Sequence, residues 1–78
     1  MAILITGAGL IGCHTARLLT ERGERVVLYD ACPIPGAIAS IVDDSRASVV
    51  TGDVTDLDHL ARVAEQEGVD RVVHTAAL

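Results

Sequence analysis

The feature that most constrains this chain is its opening, where Ile3-Leu4-Ile5-Thr6 runs directly into Gly7-Ala8-Gly9-Leu10-Ile11-Gly12. An apolar, β-branched run leads into Gly-x-Gly-x-x-Gly, and a helical pattern begins inside that motif. Each glycine has a mechanical reason. Gly7 permits a tight turn off the strand, Gly9 lets a bulky anion approach the backbone, and Gly12 lets the helix pack closely on the strand. A second strand pattern, Arg25 to Tyr29, ends on Asp30, close to the ~20-residue offset at which such motifs place an acid. The free N–H groups and dipole at the helix start favour a pyrophosphate. Asp30 falls where a carboxylate accepts both hydroxyls of an adenosine ribose. The combination predicts dinucleotide binding, with Gly7, Gly9, Leu10, Ile11, Gly12 and Asp30 among the cofactor-contacting residues.

Composition narrows the rest. The 78 residues make one small domain at most, 50% hydrophobic, with Tyr29 as the sole aromatic, so the core must be aliphatic. A net charge of −5 with no basic run predicts no nucleic-acid and no membrane-surface partner. No apolar run approaches the ~18 residues needed to span a bilayer. Cys13 and Cys32 fit neither a C-x-x-C motif nor a disulfide framework. The opening reads as leading directly into the first strand, so no signal peptide is expected, and with it a reduced, cytoplasmic setting. All six basic residues are arginines; the chain has no lysine.

The pattern predicts a strand over 2–6, a helix over 10–22 and a strand over 25–30. Ile11, Thr15, Leu18 and Leu19 form the helix's apolar stripe, and Gly23 stops it. Val26-Val27-Leu28-Tyr29 is continuously apolar, as in a strand buried on both faces. Residues 31–46, with Pro33, Pro35 and Gly36, read as loop with a short helix or irregular crossover at 37–42. A third strand covers 47–51. A helix over 56–67 follows, with Leu57, Leu60, Ala61 and Ala64 on one face, Thr55 or Asp56 as N-cap and Gly68 as stop. A fourth strand runs from Val69 to Thr75. This alternation implies an α/β, Rossmann-like parallel sheet in order 3-2-1-4 with flanking helices, its core including Ile3, Ile5, Val27, Val50 and Val72. The 56–67 helix covers one face nearly alone and the fourth strand has an open edge. The expectation is one NAD(P)-binding domain over 1–78, the first half of a doubly wound domain, which self-associates or lacks its C-terminal half.

Four stretches together resemble the extended short-chain dehydrogenase/reductases, the NAD-dependent sugar-nucleotide epimerases and dehydratases. They are the Thr6–Gly12 turn, Asp30, Gly52-Asp53-Val54-Thr55-Asp56, and Val73-His74-Thr75-Ala76-Ala77. The resemblance spans essentially the whole chain. It implies that Asp53 contacts the adenine amino group, that Val54 lies against the ring, and that Ala76 and Ala77 line the passage toward the nicotinamide ribose. Extended members usually carry one more residue between the first two glycines; Gly7-x-Gly9 is the spacing of dehydrogenases more broadly. The family's Tyr-x-x-x-Lys pair has no counterpart here, because lysine is absent and Tyr29 sits within a strand. The resemblance therefore implies no catalytic residue in this chain, and no epimerase, dehydratase or dehydrogenase turnover by it alone. Asp30, with no arginine directly after it, favours NAD over NADP.

Several residues have blander readings. Asp53 could terminate its strand or help cap the next helix. His74 reads as strand-end packing, and His14 and His59 lack partner ligands at metal spacing. Cys13, at a helix start, reads as a small packing residue, the alternative being a thiol acidified by the helix dipole. A regulatory NAD-binding module similar to those of potassium-transport regulators is the competing function, since it needs no catalytic lysine. Thr6 and the His74-x-Ala76-Ala77 ending favour the enzyme family. A flavoprotein's FAD-binding half would leave Gly52-Asp53-Val54 without a role.

Overall fold

The computed structural model describes residues 2–42 and 44–75. Strand β1 (Ala2–Thr6) leads into helix α1 (Leu10–Glu21), then β2 (Arg25–Asp30) and the short helix α2 (Pro35–Ile41). A 3-10 turn at Asp44–Arg46 precedes β3 (Ala47–Thr51), helix α3 (Leu57–Glu67) and β4 (Val69–His74). All strand pairs are parallel and the order is β3-β2-β1-β4. Crossover handedness puts α1 and α2 on one face and α3 on the other, as expected.

The sheet accordingly has two cores. On the first face, Ile3, Ile5, Val26 and Leu28 pack with Cys13 and Ala16 of α1, Ile38 of α2, and Val42. On the second, Ala2, Leu4, Val27 and Tyr29 pack with Val63 of α3. Both central strands are buried on both sides, which explains their unbroken apolar sequence.

Three expectations need correction. The stripe expected on α1 is not its buried face: Ile11 is 72% and Leu18 53% exposed, while Gly12, Cys13 and Ala16 are buried. Small residues face the sheet because the helix axis lies close to it; only Leu19 of the stripe packs against the core. On α3, Leu57 is 71% exposed, and the contacts come from Val63 and the half-buried Leu60. Val72 is 62% exposed. It pairs with Leu4 and so shares the α3 face, but it stands on β4, an edge strand with no neighbour on its outer side among the described residues. Val50 is half-buried against the second core.

The ends behave as their residues dictate. Asp56 caps α3, its Oδ1 accepting the His59 N–H at 3.2 Å. Gly68 ends that helix in the left-handed region at φ 67°, where a side chain would be strained.

Candidate functional site

The carboxyl ends of the strands open onto a groove of about 800 Å³, bounded by the glycine turn, Asp30 and the loop after β3. Such a position follows from the parallel topology, since the strand order reverses across β1. Gly7, Gly9, Leu10, Ile11, Gly12, Asp30, Asp53 and Val54 all line it. The structure therefore brings together the whole described part of the expected site. Ala76 and Ala77 lie outside the described residues.

The turn is anchored at several points. Gly7 adopts φ 97° and its N–H donates to the Tyr29 carbonyl at 2.8 Å. Gly12 is packed so closely that a Cβ there would run into the Gly7 carbonyl oxygen and stand 3.1 Å from Thr75 Oγ1. At Gly9, the residue capping α1, a Cβ would meet nothing within 4 Å. Gly12 is thus required by the fold, whereas Gly9 borders open groove. The first N–H groups of α1 have no partner within the helix, which leaves them directed at whatever fills that space.

Asp30 ties the glycine turn to the end of β2. Its Oδ2 accepts the Ala8 N–H at 2.6 Å and its Oδ1 the Cys32 N–H at 2.8 Å. Each carboxylate oxygen retains a second lone pair, so ribose hydroxyls can bind without displacing either bond. Arg46, the nearest basic residue after Asp30 in sequence, lies at the opposite end of the sheet, where its guanidinium donates to the Gly23 carbonyl at 3.2 Å.

The far rim is the Gly52–Asp56 loop. Asp53 Oδ1 accepts both the Thr55 N–H (2.8 Å) and the Thr55 hydroxyl (2.7 Å). Those bonds, the backbone one first, hold the Asp53 carboxyl below its ordinary pKa. Thr75, Tyr29, Ala31, Gly52 and Thr55 also line the groove; Gly52, Thr55 and Thr75 stand in the stretches that carry the family resemblance, but none of the five was assigned a cofactor contact from sequence. Thr75 closes the β4 end, its hydroxyl 2.7 Å from the Thr6 carbonyl. Tyr29 carried a signal of its own, an aromatic residue directly before the acid.

Cys13 and His74 have structural contacts. Burial first, and then the Asp30 charge, pushes the Cys13 thiol above its ordinary pKa, the direction opposite to the acidified-thiol alternative. The thiol donates to the Ala8 carbonyl at 3.3 Å. His74 Nδ1 lies 2.5 Å from Thr6 Oγ1, bridging two strand ends. Among the described residues, no three His, Cys, Asp or Glu side chains group to hold a metal, and no helix is long and apolar enough to cross a membrane.

Comparison with known proteins bears on this geometry. The profile of the NAD dependent epimerase/dehydratase family matches residues 3–78. The chain is 40% identical to the UDP-glucose 4-epimerase of Lacticaseibacillus casei over 74 residues, covering 95% of this chain and 22% of that enzyme. It superposes with a TM-score of 0.81 on the Bordetella bronchiseptica enzyme WbmH, solved in complex with NAD+, at 34% identity over 99% of this chain and 26% of that one. The same score relates it to the dTDP-glucose 4,6-dehydratase of Bacillus anthracis, solved in complex with NAD, at 27% identity over 100% of this chain and 27% of that one. The chain thus spans roughly a quarter of the length of each of these relatives.

Proposed function

The chain belongs to the NAD dependent epimerase/dehydratase family, and from that premise we propose that residues 1–78 form the NAD-binding N-terminal part of an epimerase- or dehydratase-type oxidoreductase. The observation that carries the reading is the Asp30 carboxylate, fixed by the Ala8 and Cys32 N–H groups at the lip of a groove that the glycine turn opens. The space beside Gly9 and the free N–H groups of α1 suit a pyrophosphate. Asp30 suits the adenosine ribose, and Asp53 with Val54 suits the adenine. Ala76 and Ala77 belong to the same proposal, on the nicotinamide side. When bound, NAD supplies the hydride acceptor and donor.

This chain's own residues bind and orient; they do not move the reacting proton. Tyr29 is fully buried. Its hydroxyl is pushed above the ordinary tyrosine pKa by burial, then by the Asp56 and Asp53 charges, with Arg62 opposing. An acid/base tyrosine needs the opposite shift. We place the family's tyrosine and lysine outside these residues. The match over 3–78 supports this reading over a regulatory module.

Titration calorimetry with NAD and NADP tests it. NAD is expected to bind more tightly, because the Asp30 charge repels a 2′-phosphate. Asp30→Ala should weaken NAD binding about 10- to 100-fold, from loss of a charged hydrogen bond of ~1.5–3 kcal/mol, and should narrow the preference over NADP. Equal or tighter NADP binding by the unmutated chain would sink the assignment of Asp30.

A further inference from the structure

Tyr29, Asp53, Asp56 and His59 are joined in a closed ring of hydrogen bonds behind the groove. The Tyr29 hydroxyl lies 3.2 Å from the Asp53 carbonyl oxygen and 2.8 Å from His59 Nδ1. The Asp53 carbonyl also accepts the Asp56 N–H at 2.9 Å, and the Asp56 side chain accepts the His59 N–H at 3.2 Å. A hydroxyl has one proton to donate. All contacts are satisfied together in one arrangement: His59 Nδ1–H donates to the Tyr29 oxygen, and the Tyr29 hydroxyl donates to Asp53. Gly52 belongs to the same device, since a Cβ there would strike the Tyr29 hydroxyl and stand 2.7 Å from His59 Nδ1.

The ring connects a buried strand to an exposed loop. Tyr29 is held by β2 and fully enclosed, whereas Asp53 is exposed and belongs to a connection that is also tied to β2 where the Gly52 N–H donates to the Asp30 carbonyl at 2.9 Å. Thr55 fixes the Asp53 carboxylate and the ring fixes its backbone. We propose that Tyr29 and His59 are a positioning pair that sets the Asp53 loop, and with it the recognition of the adenine 6-amino group by this site. The inference rests on the NAD reading above and adds two residues to it, neither of which need touch the cofactor's reacting end.

The test compares NAD with nicotinamide hypoxanthine dinucleotide, which carries a carbonyl oxygen in place of that amino group, by calorimetry on the chain. The unmutated chain is expected to prefer NAD about 10- to 100-fold, the value of one charge-assisted hydrogen bond. Tyr29→Phe and His59→Leu should bring that ratio toward one, by weakening NAD more than the hypoxanthine analogue. His59→Asn, which keeps an N–H donor near the position of Nδ1, should restore the preference. A purely structural role would weaken both ligands equally and leave the ratio intact, and that result overturns the proposal. Because His59 is only half-buried, its variants remain informative where Tyr29→Phe does not fold. Failure of the unmutated chain to bind NAD at all would instead overturn the functional reading on which the pair depends. Binding without discrimination would remove Asp53 as the adenine reader, and the positioning pair with it.

Discussion

At the scale of single residues, the site is built from backbone donors that meet fixed carboxylates. Asp30 shows why such an acid does more than meet a ligand: bridging Ala8 and Cys32, it fixes the glycine turn against the end of β2 before any cofactor arrives. Cys13, under the same turn, is the counterpart buried without charge. Its raised pKa has a definite sign. The thiol is disfavoured as thiolate in the folded state, so its contribution to stability is complete below the unfolded value of about 8.5 and is lost as pH rises from there through the raised folded value. At about pH 8.5, the ordinary thiol pKa, iodoacetamide is therefore expected to label exposed Cys32 well before Cys13, with the difference abolished by denaturant. Peptide mass spectrometry checks this, and equal labelling of the native chain would contradict the burial of Cys13.

At the scale of elements, the contact between β1, the turn and α1 is tight enough to separate two glycines that look alike in sequence. Gly12→Ala forces a Cβ into the Gly7 carbonyl, and overpacking of this kind costs about 1–3 kcal/mol. Gly9→Ala enters open space, so most of its effect should fall on ligand approach. Chemical denaturation and NAD titration of the two variants are expected to dissociate: Gly12→Ala loses stability, whereas Gly9→Ala stays folded and binds NAD more weakly. Comparable unfolding by both would mean that Gly9 is structural as well.

At the scale of the whole molecule, two faces of one sheet are unequally covered. α1 and α2 shield one side, and α3 alone shields the other, where Val72 of β4 stays exposed and α3 itself carries the exposed Leu57. β3 and β4 are the edge strands of the described sheet, and Val49 on β3 is also exposed. Domains of this size bury only about 60% of their unfolded surface and have little stability to spare. Open edges and exposed apolar side chains favour association. The isolated chain is expected to self-associate or to melt without sharp cooperativity. Analytical ultracentrifugation with a thermal melt checks this; a strictly monomeric species with a sharp transition would contradict it.

Local chemistry determined the order of elements, their ends and the lip of the site. Strand-length apolar runs, glycine stops and an Asp cap act within a few residues, so β1 to β4, α1, α3, Gly7, Gly12 and Asp30 are legible in the amino-acid sequence alone. The family resemblance extended that reading to Asp53 and Val54. Which side of each helix is buried depended instead on distance between elements. Periodicity ranks residues by apolarity, and it selected Ile11, Leu18 and Leu57, but a helix lying close to a sheet has room only for Gly12, Cys13 and Ala16. Val72 carried a core-like sequence and lost its cover because edge position is a property of the sheet, not of the strand. The Tyr29–His59–Asp53 ring was likewise invisible, since its members come from β2, α3 and the loop between β3 and α3. Only the parallel crossover brings that loop and helix back over the end of β2, and only there can a buried hydroxyl take hold of the backbone of an exposed loop residue.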